Sequence, residues 1–315
     1  MRTAREQALS TLLPIRDGAA EDVRSLLRRA RDDIERSLAQ TRTIRHLRAL
    51  LVEGRQGASP GNDALLIETA TTDELERHAR AVLSLFDGMG PELLSALEGG
   101  DGVDPCARFL SLVRAHQLRV GALTRYTPHA SPPAEAAALR GVGLELALLF
   151  PADLAQWLHA EEDLVALRRR ASARADRAFA ADPGSRRGLV LFLIPKPGAL
   201  RGAALRALLR SREREVFAPG AHGARPIETR CVPIRGRGLL FSFDFEGRLD
   251  AALEELAGRD GAFLNALFAQ TAGFPRCAGA FAGGVRDEER FHLWIDAHRL
   301  ENGACYVAPR GADAP

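Results

Sequence analysis

The stretch VRAHQLRVGA, residues 113–122, lines up without a gap on IDAHRLENGA, residues 295–304, at an offset of 182 residues (298 minus 116). Phe109 falls on Phe291 at the same offset. A further match joins Ala64-Leu65-Leu66-Ile67 to Gly238-Leu239-Leu240-Phe241. Agreement at three ordered points indicates an internal repeat, which has to be recognised before any single motif is interpreted.

The local patterns of the two halves follow the same order. In the first half, period-2 and apolar runs predict strands at 9–15, 44–52, 64–70 and 120–126, and helical spacing predicts helices at 19–38, 72–84 and 91–97. In the second half the same criteria predict strands at 189–194, 227–233 and 238–243, and helices at 200–213, 249–258 and 262–269. Loops rich in Gly, Pro and Asn, such as 54–63, separate the paired strands as in hairpins.

The order β, α, β, β, α, β predicts an α+β protein made of two ferredoxin-like repeats with antiparallel sheets. We place the first repeat at 1–133 and the second at 188–315. The segment 134–187 between them is dominated by helix formers and lacks the Gly/Ser composition of a flexible linker, so we expect a helical connector.

A ferredoxin-like unit has helices on one face of its sheet, so the other face needs a cover, and two copies can cover each other. In the second copy Phe241, Phe243 and Phe245 alternate with polar residues, which puts three rings on one face of a strand. This face is either a core, packed against the sister sheet or the helices, or the wall of a pocket for a small apolar or planar ligand.

Composition narrows the classes of function. The 43 basic and 41 acidic residues nearly cancel, which argues against a general nucleic-acid binder. The segment 237–243 resembles the aromatic third-strand motif of RNA-recognition domains, but Leu239 stands where an aromatic residue is expected.

The four cysteines lack metal-ligand or disulfide spacing. The N-terminus lacks the apolar segment of a signal peptide, and no apolar run approaches the roughly 20 residues that span a bilayer. We therefore expect a cytoplasmic protein without a membrane span.

The candidate catalytic residues are His46, Arg48 and Arg230. His46 and Arg48 are two residues apart in a predicted strand and so share a sheet face, and Arg230 lies on the comparable strand of the second copy. A histidine can move a proton and an arginine stabilises developing negative charge, so the set could bind an anion or assist peroxide chemistry between the sheets. The alternative is that these side chains lie on the surface.

The candidate cofactor-binding residues are His292, Phe241 and Phe243. His292 has no counterpart in the first copy, and an unmatched residue in a duplicated fold is the better functional candidate. His116 and His298 occupy equivalent positions before the last strand, which favours a structural role for both.

Several common enzyme motifs are absent. Residues 57–61 satisfy the GxSxG pattern of hydrolases, but they lie in a hairpin loop and a proline follows the serine. The sequence contains no P-loop, no GxGxxG after a strand, no HExxH and no spaced acidic metal cluster, so we predict no metal site.

The chain resembles the dimeric α/β-barrel superfamily, in which two ferredoxin-like units pack sheet to sheet. The segment LLFSFDFEG at 239–247, with GFP at 273–275 and ACYV at 304–307, resembles a little-characterised bacterial family of such repeats. The superfamily includes dye-decolorising peroxidases, chlorite dismutases and small haem-degrading monooxygenases, so the resemblance implies a haem-dependent oxidoreductase. The GxxDG signature of the peroxidases is absent, and LFDGMG at 85–90 has the wrong spacing, so no haem ligand is carried over by motif.

Two functions follow as hypotheses. The first is a small-molecule-binding protein or oxidoreductase with a pocket between the two units, with haem as its candidate cofactor. The second is a non-catalytic module for protein–protein interaction or self-assembly, as a homo-oligomer or with another protein. A polar cluster facing an apolar cavity favours the first, and a filled core with a large exposed apolar patch favours the second.

Overall fold

The computed structural model describes residues 7–40, 44–52, 63–71, 73–99, 104–118, 122–126, 186–212, 227–234, 238–246, 249–275, 277–278, 282–300 and 304–307. Nearly all of the predicted connector at 134–187 and the loop at 54–63 lie outside these ranges. The chain is an α+β protein with two antiparallel sheets.

The first half begins with a strand and a long amphipathic helix. Its elements are β1 Gln7–Pro14, α1 Ala20–Gln40, β2 Ile44–Val52, β3 Ala64–Thr71, α2 Leu75–Ser84, α3 Gly90–Ala96, α4 Pro105–His116, β4 Gln117–Leu118 and β5 Ala122–Tyr126. Asp104 caps α4, because its carboxylate accepts hydrogen bonds from the backbone N–H groups of Cys106 and Ala107.

The second half repeats this plan. Its elements are β6 Arg186–Leu193, α5 Ala199–Arg212, β7 Ile227–Ile234, β8 Gly238–Glu246, α6 Leu249–Phe268, β9 Cys277–Ala278, β10 Ala282–Gly283, α7 Glu288–His298 and β11 Ala304–Val307. The helices predicted separately at 249–258 and 262–269 form the single helix α6, which runs through Gly258 and Gly261.

The two large sheets have the same internal order. The first is β11-β2-β3-β1-β4 and the second is β5-β7-β8-β6, so in each half the strand after the hairpin turn lies between the other two. The register is equivalent as well: Arg48 pairs with Glu68 on β3, and Arg230 pairs with Ser242 on β8.

Each half contributes its last strand to the sheet of the other half. In the first half, Gln117 and Leu118 form β4, which pairs with β1 of the first sheet. The chain then crosses to the second sheet, where β5 pairs with β7. The second half does the same, because Leu300 N–H donates to Val190 O at 2.8 Å and β11 then pairs with β2. The strand predicted at 120–126 corresponds to β5, whereas β4, which precedes it and belongs to the first sheet, was not predicted.

The sheets pack face to face. Apolar side chains from both sheets form one buried cluster between them, consisting of Leu12, Leu50, Val52, Ala64, Leu66, Val190, Phe192, Val232, Ile234, Leu240 and Leu300. On the opposite face of each sheet a separate core packs against that half's helices. Burial of each large apolar side chain contributes roughly 1.5–3 kcal/mol, so the layer between the sheets holds the two halves together.

Candidate polar site between the sheets

Two arginines lie at equivalent places in the layer between the sheets. Arg48 is in the middle of β2 and Arg230 is in the middle of β7, 182 residues later. Apolar residues of the inter-sheet cluster follow each arginine at two and four positions along its strand, so both arginines lie on the face of their strand that looks into that layer. Arg48 is 2% exposed and Arg230 is 1% exposed. Of the two alternatives for these residues, placement on the surface is therefore wrong, and both are buried between the sheets.

Arg48 forms ion pairs with carboxylates of both sheets. Its Nη1 donates to Glu68 on the neighbouring strand β3, and its Nη2 donates to Asp244 on β8 of the opposite sheet. The planar guanidinium fork suits two acceptors at once. Arg48 therefore joins the sheets through a charge-assisted contact as well as through apolar packing.

The surrounding side chains are polar and equally buried. Ser10 Oγ on β1 donates to Glu68 Oε1 at 3.3 Å. Arg230 Nη1 donates across the layer to the backbone carbonyl of Leu9 at 3.1 Å. We call the six residues Ser10, Arg48, Glu68, Arg230, Ser242 and Asp244 the inter-sheet polar cluster; each is at most 2% exposed.

The two halves differ around their equivalent arginines. With the third strands aligned at the offset of Ala64 and Gly238, 174 residues (238 minus 64), Glu68 corresponds to Ser242 and Ala70 corresponds to Asp244. The hydroxyl of Ser242 has no hydrogen-bond partner within the described part of the chain. An unsatisfied buried hydroxyl lowers the stability of the folded state by about 1–3 kcal/mol, so a serine with a purely structural role would be unfavourable at this position.

The predicted site residue His46 pairs through its backbone with Ala70 and Val307. Its side chain lies outside what the structure describes.

Phe241 and Phe243 lie on the other side of the second sheet. Both belong to the core that packs against the helices, where the rings of Phe241 and Phe268 meet edge to face with centroids 5.0 Å apart. Of the two interpretations of this aromatic face, the core against the helices is the one observed. A pocket wall between the sheets is excluded for these rings, because Ser242 and Asp244 occupy the face of β8 that looks toward the first sheet.

His292 is half-buried on α7, between residues that pack in the helix-side aromatic core such as Phe291 and Trp294. His298 ends the same helix, and its Nδ1 is 2.8 Å from the carbonyl oxygen of Trp294. The predicted site residues therefore fall into two groups, on opposite sides of the second sheet.

Haem is the group that the resemblance implies, and the predicted haem-binding residues do not converge on one space. Phe241 and Phe243 are packed in the helix-side core, whereas Arg48 and Arg230 lie on the other side of the second sheet, beside the apolar inter-sheet cluster. The residues present do not fit a haem held between the sheets. Within the described ranges, no group of three or more His, Cys, Asp or Glu side chains is placed to hold a metal ion.

Sequence reasoning missed Glu68, Asp244, Ser10 and Ser242. A signal was available for Glu68, because it is the one charged residue in the strand ALLIETAT, all eight residues of which are buried. Asp244 gave no such signal, since its alternation with phenylalanines is also typical of a strand with a solvated face.

Comparison with known proteins identifies no relative of this chain. A scan against protein-family models finds no match, and searches of curated proteins and of solved structures find none either. No helix in the described ranges combines the length and the apolar character that a membrane crossing requires.

Proposed function

We propose that the two halves are ferredoxin-like units and that, together, they bind a small anionic molecule at the inter-sheet polar cluster. The shared order strand, helix, strand, strand, helix at the start of each half, and the matching strand orders β2-β3-β1 and β7-β8-β6, support the first part. The observation that carries the second part is the hydroxyl of Ser242, which is buried, has no hydrogen-bond partner among the described residues and pairs in register with Arg230.

The side chains of Arg230 and Ser242 are suited to bind an oxyanion. A guanidinium group and a hydroxyl group both donate hydrogen bonds, and a carboxylate or phosphate oxygen accepts them. Donors in a dry, low-dielectric layer bind an anion more strongly than the same donors in water. Arg48, held by Glu68 and Asp244, would position the two sheets around the ligand without contacting it.

A purely structural role accounts less well for the cluster. Buried ion pairs are often no more stabilising than well-packed apolar residues of similar volume, and the rest of the inter-sheet layer is apolar. A few polar groups that converge in otherwise apolar surroundings are typical of a small-molecule site.

Thermal unfolding in the presence of small anions tests the proposal. We would compare acetate, succinate, phosphate and sulfate with chloride at constant ionic strength, and follow any hit by calorimetric titration. A ligand present at 100 times its Kd stabilises the folded state by about 2.7 kcal/mol, which is easily measured. If no anion raises the melting temperature above that in chloride, the proposal is wrong.

The variant Ser242→Ala separates binding from folding. We expect it to leave the stability of the free protein unchanged or slightly raised, because it removes an unsatisfied hydroxyl, and to weaken anion binding several-fold. The matched control is Ser95→Ala on α3, where an exposed hydroxyl donates to the carbonyl of Glu92. Equal affinity of Ser242→Ala and wild type for the anion would contradict the assignment.

Hemin is the last probe in the panel. A Soret band that persists unchanged in Ser242→Ala would show a haem site elsewhere in the chain and would separate haem binding from the anion site.

The interaction-module hypothesis has weaker support. The exposed large apolar side chains of the described residues are Ile194, 43% exposed, and Leu200, 73% exposed. Scattered exposed apolar residues are normal on monomeric proteins, so these two do not define an interface.

A further inference from the structure

A small pocket lies in the helix-side core of the first half, away from the inter-sheet polar cluster. It is lined by residues of β1, β3, α2 and α4 and has a volume of about 20 Å³. Its lining consists of Leu9, Thr11, Ile67, Thr69, His78, Ala79, Val82, Phe109 and Val113. A cavity needs roughly 10–15 Å³ to hold one water molecule, and sites for larger ligands start near 300 Å³, so this pocket is of the size of one water.

His78 supplies a polar atom that needs a partner. The residue is 3% exposed, and its Nε2 is 2.8 Å from Thr69 Oγ1. Its Nδ1 is buried and makes no hydrogen bond to any residue that the structure describes. Whichever tautomer the ring adopts, one of its nitrogens is a donor and the other an acceptor, so a second partner is required for full satisfaction. Leaving a buried polar atom unsatisfied costs about 1–3 kcal/mol.

The second half shows that the fold does not need these polar residues. Residues 64–83 align without a gap on residues 238–257, and helices α2 and α6 begin at corresponding positions. Thr69 corresponds to Phe243 and His78 corresponds to Ala252, and through the strand register Thr11 corresponds to Leu191. The second half fills with apolar side chains the space that the first half lines with two threonines and a histidine.

We propose that this pocket holds one ordered water molecule, hydrogen-bonded to Nδ1 of His78 and to the threonine hydroxyls that line the pocket. A water with two or more polar partners in a core is part of the structure and exchanges slowly. The volume, the polar lining and the unsatisfied nitrogen of His78 together identify water as the ligand. A pocket without water would be consistent with the volume but would leave that nitrogen without a hydrogen-bond partner.

The test is a magnetisation-transfer experiment between water and the full-length protein with ¹⁵N-labelled histidine. We expect a cross-peak between bulk-exchanging water and the His78 ring, and a Nδ1 shift characteristic of a hydrogen-bonded nitrogen. In protein that also carries ¹³C-labelled threonine methyls, the wild type should show a second water cross-peak, to the methyl of Thr11. The double variant Thr69→Phe/His78→Ala, which introduces the second half's own pair, should lose the water and with it this Thr11 cross-peak. The single variant Thr69→Val, which keeps the ring and nearly the same volume, serves as the second variant should the double variant fail to fold.

A wild-type spectrum in which the His78 ring is assigned and shows no water cross-peak would overturn the proposal. So would a Thr11 cross-peak that persists in the double variant, because the water would then lie elsewhere. A crystal structure with ordered solvent provides the independent check: density for one water within hydrogen-bond distance of His78 Nδ1 supports the proposal, and an empty pocket contradicts it.

Discussion

Stability of the folded protein should fall in mildly acidic solution because of His78. Burial lowers the pKa of His78 from 6.5 to about 4, and the nearby Asp73 offsets part of this effect. Above the unfolded-state pKa the ring is neutral in both states, and its titration contributes nothing. Between the two pKa values the unfolded chain binds a proton that the folded protein excludes, so the free energy of unfolding decreases as the pH falls.

The size of the effect follows from the two pKa values. One pKa unit corresponds to about 1.4 kcal/mol, so the full difference of about 2.5 units (6.5 minus 4) is about 3.5 kcal/mol. Stability should fall by about 1.2 kcal/mol between pH 7 and pH 5.5, and by about 2.4 kcal/mol between pH 7 and pH 4.5, from this one group.

The assay is urea unfolding at these three pH values, with wild type compared with the double variant Thr69→Val/His78→Leu. The variant removes the titrating ring together with the hydroxyl that would otherwise lose its partner. Subtraction of the two pH profiles cancels the contribution of all other groups, and Thr69→Val alone controls for the loss of the hydroxyl. Parallel profiles, or a wild type that gains stability relative to the variant as the pH falls, would refute the argument.

Two substitutions test the packing of the sheets. Arg48→Met should lower the free energy of unfolding in urea by about 3–5 kcal/mol, because it leaves the buried carboxylates of Glu68 and Asp244 without their cation. The triple variant Arg48→Met/Glu68→Leu/Asp244→Leu should recover most of that loss. A loss below about 1 kcal/mol for the single variant would contradict the buried ion pairs. Gly238→Ala should cost about 1–3 kcal/mol in the same assay, because the added Cβ would lie 2.7 Å from the carbonyl oxygen of Leu193. Gly258→Ala in helix α6 is the control, because a Cβ there meets nothing within 4 Å. It should raise the free energy of unfolding by about 0.5–1 kcal/mol. A similar gain at both glycines would argue against the close approach of β6 and β8.

The elements could be predicted from the sequence because their signals are local. Strand β2 has the predicted bounds, and α1 and β8 begin within one residue of their predicted starts. Apolar alternation and Gly- or Pro-rich loops depend on neighbours a few residues away, and these are fully visible in one sequence. The break predicted in α6 was wrong, because packing of Leu253, Leu256, Leu264 and Leu267 into the core outweighs the helix-weakening glycines between them.

The pairings between the halves could not be predicted in this way. Strand β11 could have stayed beside β6, and nothing in ACYV specifies the edge of β2 instead. The contact between Arg48 and Asp244 likewise joins residues 196 positions apart. Such contacts depend on which edges and faces meet in three dimensions, so the sequence predicted a shared face for His46 and Arg48 but not the carboxylates opposite them.

The exchange of final strands has a consequence for the synthesis of the protein. Ala304 pairs with Ala49, so this edge of the first sheet stays uncovered until about 255 further residues (304 minus 49) have been synthesised and have left the ribosome. An uncovered strand edge is a template for pairing with other chains, and contacts this distant in sequence form slowly. The nascent first half should therefore be the stage at which this protein is most prone to aggregate and most in need of a chaperone.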